Sequence, residues 1–397
     1  MKSVLVFMVF LLCLEIGNAQ KRTYVMEGTI NGITNGKIFL INNAIDEKYF
    51  AKNKNLDSAL IESGRFKIKI IRFDKVTRPY RFFIQSKSKS GLTDLVFIEP
   101  KNQRVFIDTI GEKIAPGILG SRIQNEMKYT YRSWFKGFID EVEEHERYED
   151  RLFEQYSGEL PVDISFELER KQQYLLAKSD SLLFFYTLKH PNSTVALWKL
   201  IEKFSGWGYR NEYTGIYKLL TKNITNSPAG KMLLGDLNAA KVLAIGNFFP
   251  TVVVQDLVAK NITLDRISFK ENRFTLVDFW FSHCRPCLVQ FPALKAVLTD
   301  FGNEGFNIIG ISVDIKDDVA KWKAVINDKG LDWDQYLDED GKVSATWRIN
   351  AFPTNYLLDK NGKIIAKNIS PGALRKFLNR NLGAQRIYDK FDGNEPL

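Results

Sequence analysis

The sequence predicts a multidomain chain with three parts in series: an N-terminal all-β sandwich, a central α-helical segment and a C-terminal α/β domain. Three observations predict it. The chain has 397 residues, beyond the ~250 to 300 at which single hydrophobic cores stop growing. Its apolar period changes twice, from alternation to helical spacing near residue 120 and then to mixed strands and helices near residue 246. Finally, Leu276-Val277-Asp278-Phe279-Trp280-Phe281-Ser282-His283-Cys284-Arg285-Pro286-Cys287 sets two cysteines where a strand hands over to a helix.

Residues 1–19 carry Met1-Lys2, an unbroken apolar run from Val4 to Leu14, and the small residues Gly17-Asn18-Ala19. This pattern is a secretory signal peptide. The run is shorter than the ~20 apolar residues that cross a bilayer, so the mature chain is expected to be exported to the periplasm or cell envelope and soluble there. Cys13 follows Leu12, where a lipoprotein signal wants a small residue, which argues against lipid anchoring.

Residues 20–120 alternate in short runs between turn signals. Lys37 to Ile41 follows Asn35-Gly36, and Phe66 to Ile70 follows Ser63-Gly64. Both are read as hairpins. Further runs at Tyr80 to Ile84, Leu95 to Ile98 and Arg104 to Ile107 supply enough strands for a sandwich.

Residues 121–245 are long, charged and helix-forming, as in Glu141 to Arg147 and Leu168 to Ala177. His190-Pro191-Asn192-Ser193 breaks them, because a residue before proline leaves helical geometry and Ser or Asn caps the next helix, Thr194 to Phe204. His190 is read as a helix-end residue and His145, in its charge run, as solvated. Trp207, Tyr209, Tyr213 and Tyr217 are expected to pack between helices.

Residues 246–385 alternate. Strands are expected at Thr251 to Val254, Phe274 to Phe281, Phe306 to Val313, Trp333 to Leu337, Asn355 to Asp359 and Lys363 to Ala366. Helices are expected at Leu288 to Phe301, Val319 to Asp328 and Pro371 to Asn381. A polar tail, 386–397, ends the chain.

Lys plus Arg outnumber Asp plus Glu by 56 to 47, yet the two signs are interspersed, which describes a solvated surface and not a nucleic-acid footprint. Without the leader, Cys284 and Cys287 are the remaining cysteines, in a compartment where disulfides persist. A zinc site would need two more ligands from His145, His190, His283 or carboxylates, and this arithmetic favours redox chemistry over metal. No cofactor and no metal are expected. At a helix N-terminus, free N–H groups and the positive dipole end favour an anion, so the Cys284 thiol should ionise readily.

These motifs carry a resemblance. Trp280 four residues ahead of Cys284-Arg285-Pro286-Cys287, Pro292 after it, and Phe352-Pro353-Thr354 leading into a strand resemble the thioredoxin-fold oxidoreductases of the TlpA/ResA type, in the AhpC/TSA superfamily. The extra helix and strand between Asp314 and Pro353 fit that branch. Glu27-Gly28, Asp57-Ser58, Gly64-Arg65-Phe66 and Gly246-x-x-x-Pro250 resemble a domain of unknown function that precedes such domains in Gram-negative envelope proteins.

The resemblance implies that Cys284 is the nucleophile, Cys287 resolves the mixed disulfide, and the pair forms a redox disulfide. It implies that Asp278 is a buried base with a raised pKa. It also implies that Pro353 is cis, facing the cysteines and closing the site to metals, with Trp280, His283, Arg285, Pro286, Phe352 and Pro353 bordering a substrate groove. His283 and Arg285 are expected to favour the thiolate by charge. Gln290 stands where cytochrome-maturation reductases carry an acid, which leaves the proton work to Asp278. The expected activity is reduction of disulfide-bonded envelope proteins, with a membrane thiol-electron transporter as reductant. A peroxidase of the peroxiredoxin type is the nearest alternative, although Phe281 replaces its expected Thr or Ser. The other alternative is an envelope binding or scaffold protein whose dithiol is secondary.

Overall fold

A computed structural model describes residues 22–42, 57–72, 77–109, 114–157 and 160–382. The leader with Cys13 and the tail 386–397 lie outside the described residues. The chain forms two compact units, one up to Gln124 and one from Asn125.

Among its described residues the first unit has nine strands: β1 (Arg22–Asn31), β2 (Gly36–Asn42), β3 (Asp57–Ile61), β4 (Arg65–Arg72), β5 (Arg78–Gln85), β6 (Ser90–Leu92), β7 (Val96–Ile98), β8 (Gln103–Asp108) and β9 (Ala115–Ile118). One sheet runs β4-β1-β8-β9; the other runs β3-β2-β5-β6, with β7 also on β5. Alternation sends one side of each strand inward. In β8, Val105 and Ile107 are buried while Arg104 and Phe106 are exposed. The shared core is apolar, built from residues such as Ile30, Ile68, Phe82, Ile84 and Val96.

Ser63-Gly64 makes the expected tight turn: both have positive φ, 49° and 71°, and Glu62 and Arg65 exchange backbone hydrogen bonds at 2.9 and 3.0 Å. Asn35-Gly36 does not close a hairpin. β1 pairs with β4 and β8 whereas β2 pairs with β3 and β5, so this turn carries the chain from one sheet to the other. β1 and β8 are parallel, a pairing that no tight turn can make. Gly28 has a packing reason, since a Cβ there would lie 2.1 Å from Phe66 Cζ, on the residue directly opposite.

The second unit begins within a short helical and π-helical run, 122–131, which is followed by α1 (Arg132–Gln155) and α2 (Val162–Lys189). Then come α3 (Thr194–Trp207), α4 (Asn211–Leu219) and α5 (Pro228–Ala240). His190 caps the C-terminus of α2, and Ser193 caps α3, its Oγ accepting from Ala196 N–H at 2.8 Å. Tyr209, Tyr213 and Tyr217 are buried. His145 corrects an expectation. Its side chain is only 9% exposed and 3.3 Å from Glu149, because α1 turns this face toward α2, where Lys171 and Lys178 both bond Glu141 one turn earlier.

The α/β part is a seven-stranded sheet of β10 (Val252–Gln255), β11 (Asn261–Leu264), β12 (Phe274–Trp280), β13 (Phe306–Ser312), β14 (Asp334–Leu337), β15 (Thr354–Asp359) and β16 (Ile364–Lys367). The order is β11-β10-β14-β13-β12-β15-β16. β14 and β13 run parallel to β12, and β15 runs antiparallel to it. Around the sheet lie α6 (Arg285–Phe301), α7 (Val319–Lys329), α8 (Lys342–Thr346) and α9 (Pro371–Asn381). β11 was not foreseen: it is a short edge strand with Leu264 as its one buried residue. Two cores cover the two faces. Leu276 and Trp280 pack with α6, α7 and α9, while Val277 and Phe279 pack with Phe249, Tyr356 and Leu358. Among the described residues no helix is long and apolar enough to cross a membrane.

Candidate active site

β12 is an interior strand of the sheet, between β13 and β15, and is buried along its whole length after Phe274. It ends at Trp280, and Phe281-Ser282-His283 turn the chain into α6. The turn is held from below by Asp314. Its carboxylate accepts from Ser282 N–H at 2.9 Å, Ser282 Oγ at 2.7 Å and Ser312 Oγ at 2.5 Å. In the sequence Asp314 only marks where the extra helix and strand begin. Its work here depends on a contact 32 residues away, which local pattern does not carry.

Cys284 is the N-cap of α6. Its N–H donates to Phe281 C=O at 2.9 Å and its C=O accepts from Leu288 N–H at 3.0 Å. Its Sγ accepts from Cys287 N–H at 3.2 Å. Pro286 stands in the first turn of the helix, where a missing N–H costs nothing. Cys284 and Cys287 are joined as a disulfide with Cα atoms 5.3 Å apart, and both are buried, 3% and 1% exposed. Arg285, Pro286 and His283 are exposed around them. The His283 ring turns toward Ser282 Oγ, 3.0 Å from Nδ1, and Asp318, 3.7 Å from Nε2. His283, Asp314 and Asp318 bring possible ligand atoms within 4.8 Å of one another. Both Asp314 oxygens are already engaged by Ser282 and Ser312, so hydrogen bonding accounts for the cluster.

The Phe352–Pro353 peptide bond is cis. Phe352 meets Phe281 edge-on at 5.4 Å, and Thr354 Oγ1 donates to Ala351 C=O at 2.7 Å. Pro286, Val289, Gln290, Phe352 and Pro353 border a cleft of about 1300 Å³ whose far wall comes from the helical segment, including Trp207 and Arg210. Trp280 does not line this groove as expected. It is fully buried, edge-on to Phe291 at 5.1 Å, with Nε1 donating to Gln335 at 3.2 Å. The last residue of an interior strand, facing inward, cannot reach solvent.

Asp278 lies on the same side of β12 as Leu276 and Trp280, because residues two apart share a face. That is the side whose core includes both cysteines. It is 3% exposed, and burial raises its pKa to about 7.

Residues 245–367 match the model of the AhpC/TSA family, and residues 24–127 match a domain of unknown function, DUF4369. Thiol-disulfide oxidoreductase ResA of Bacillus thuringiensis (strain Al Hakam) is 30% identical over 127 residues, 32% of this chain and 70% of the relative. ResA of Bacillus anthracis matches to the same extent. Among solved structures, the thioredoxin domain of a thiol-disulfide oxidoreductase from Bacteroides vulgatus is 30% identical with a TM-score of 0.32, covering 35% of this chain and 98% of that one. A thiol-disulfide oxidoreductase from Bacteroides fragilis is 31% identical with a TM-score of 0.31, covering 34% and 100%. With its cysteine pair capping a helix, its extra strand β14 and this match to the greater part of ResA, the chain belongs to the ResA family of thiol-disulfide oxidoreductases.

Proposed function

We propose that the protein reduces disulfides in exported proteins through a mixed disulfide at Cys284. In the reduced protein the Cys284 thiolate attacks one sulfur of a substrate disulfide. A Cys284–substrate bond forms as the substrate S–S bond breaks, and the departing thiolate takes a proton from water. Cys287 then gives its proton to the Asp278 carboxylate, and its thiolate attacks Cys284 Sγ. The second substrate sulfur leaves, is protonated, and the Cys284–Cys287 disulfide remains. Two electrons have passed to the substrate. A dithiol donor, for which a membrane thiol-electron transporter is the candidate, returns the pair to its reduced form by the reverse exchange.

The observation that carries this reading is Cys284 Sγ accepting from Cys287 N–H at the start of α6. The same N–H and the helix dipole favour a thiolate there once the disulfide opens. Asp278 behind the pair supports proton transfer, since a carboxyl titrating near neutrality is suited to a base at physiological pH. The cleft beside Pro353 supports a polypeptide substrate, and the leader sequence supports the periplasm or cell envelope as its place of work.

The test is the reduction of a protein disulfide such as insulin by the full mature chain, with the equilibrium potential of the pair. Cys284→Ser should fall to the uncatalysed background, and Cys287→Ser should accumulate mixed disulfides. A potential near −270 mV fits a reductase; one at about −120 to −180 mV would make the protein a disulfide former or shuffler. Full activity in Cys284→Ser would end the proposal.

A further inference from the structure

The sheet row running under the cysteine pair is polar. In register across it stand Asn355 on β15, Asp278 on β12, Gly310 on β13 and Gln335 on β14. Gly310 is a gap in that row. A Cβ built there would lie 2.2 Å from Gln335 Oε1 and 2.9 Å from its Nε2, so the Gln335 amide fills the place of the absent side chain. Neighbouring strands lie about 4.7–4.9 Å apart. The amide is therefore within one water of the Asp278 side chain.

Chemistry fixes which way the amide points. An indole N–H can only donate, and Trp280 Nε1 bonds Gln335 Oε1. The donor end, Nε2, is left over. It is buried without a hydrogen-bond partner among the described residues, and so is Asp278 Oδ1. A donor and an acceptor thus stand orphaned on one face, where buried polar atoms are rarely unpaired. Asn355, the other neighbour of Asp278 in the row, is already committed. Its side chain donates to Ile369 C=O at 3.0 Å and accepts from Ile369 N–H at 2.9 Å.

We propose that Gln335 is a positioning residue for Asp278, its Nε2–H donating to the carboxylate directly or through one ordered water. The bond favours the ionised form, which is the form that accepts the Cys287 proton. The role rests on the reading of Asp278 as the base. Few titratable groups face this carboxylate. The Cys284 and Cys287 thiols do so from the start of α6 once reduced. Asp314 lies four residues beyond Gly310 on the same face, held by Ser282 and Ser312. Asp359 sits at the far end of β15, opposite Phe274, and accepts from Asn361 and Lys363 N–H. α7 and α9 present Ile326, Leu374, Leu378 and Trp322; the Trp322 Nε1–H is a second buried donor without a partner among the described residues, but Gln335 is the donor that stands in the sheet row of Asp278.

The experiment follows the Asp278 carboxyl carbon by ¹³C NMR against pH in the oxidised full chain. It compares wild type with Gln335→Met, which keeps the volume, and Trp280→Phe, which frees Oε1 and lets the amide turn over. Gln335→Met should raise the Asp278 midpoint by about one pH unit, about tenfold less ionised carboxylate at a given pH. Trp280→Phe should move it the same way by less. Should Gln335→Met fail to fold, Gly310→Ala, which pushes the amide aside, gives the same readout and the same expected direction. A midpoint unchanged or lowered in Gln335→Met, or in Gly310→Ala where that variant stands in, overturns the proposal. The titration uses no substrate, so failure of the reductase reading shows separately as loss of insulin reduction by the wild type.

Discussion

The sandwich of the first unit and the sheet of the second are built from the same alternating strands, yet they treat buried polar groups differently. In the sandwich, Thr93 and Gln124 are buried and bonded, to Phe82 and Phe97 N–H at 3.0 and 3.1 Å. Between its sheets lies an aliphatic and aromatic cluster. In the redox sheet, Asp278 is buried with one oxygen unpaired among the described residues, on the side of the sheet whose core includes the disulfide. An orphaned ionisable group costs stability, so a fold that keeps one marks where chemistry is done. The difference teaches where to look: strand pattern builds both regions, and a buried carboxyl with an unpaired oxygen is found in the second.

Asp278→Asn tests that difference most severely. With a folded-state pKa of about 7 against an ordinary value of 3.8, the Asp278 carboxyl is protonated in both states below about pH 4. Between about pH 4 and 7 the unfolded chain ionises and the folded one does not, so stability falls as pH rises, levelling above pH 7. The full loss is on the order of 4 kcal/mol. Asp278→Asn should remove this slope, leaving the variant more stable relative to wild type at pH 8 than at pH 4. Chemical denaturation at the two pH values measures it. Disulfide reduction should fall by about a hundredfold, and the wild-type rate should climb through pH 7 as the carboxylate forms. A wild-type stability flat between pH 4 and 7 would remove the contrast between the two regions.

Gly28→Ala probes the sandwich on its own terms. The added methyl would meet the Phe66 ring, and overpacking of this kind costs about 1–3 kcal/mol. The loss should not depend on pH, since no titratable group is involved, and insulin reduction should be unchanged. A pH-dependent loss, or loss of activity, would mean that the two regions are not as distinct as their cores suggest.

Much of this was legible in the sequence, for physical reasons that also set its limits. The segment Phe274 to Phe281 is one residue longer than β12, and Pro371–Asn381 matches α9, because long periodic runs with a proline or serine at the start mark their own ends. The cysteine pair and Pro353 were visible as residue types at set spacings. Asp314 and Gln335 were not. Asp314 acts through Ser282 and Gln335 through Trp280, 32 and 55 residues away, and such pairs exist only once strand register is set. The parallel pairing of β1 with β8 escaped for the same reason, and Trp280 was misplaced because strand position and exposure were read from the motif alone.

His283 supplies the smallest expected effect and carries the contrast between buried and exposed charge to the rim of the site. From sequence, an imidazolium next to Cys284 favours the thiolate. In the structure the side chain is 46% exposed, and Asp318 lies 3.7 Å from Nε2, so solvent screening and an opposite charge both weaken its field at the sulfur. Alkylation of the reduced protein by iodoacetamide against pH reads the Cys284 midpoint. His283→Ala should raise it by less than about 0.7 pH units, the equivalent of about 1 kcal/mol for an exposed pair. Asp318→Asn should lower it slightly, because the imidazolium then acts uncompensated. A rise beyond one unit in His283→Ala would give the rim a share in thiolate formation comparable to the helix N-terminus, and the buried groups would no longer dominate the electrostatics of the pair.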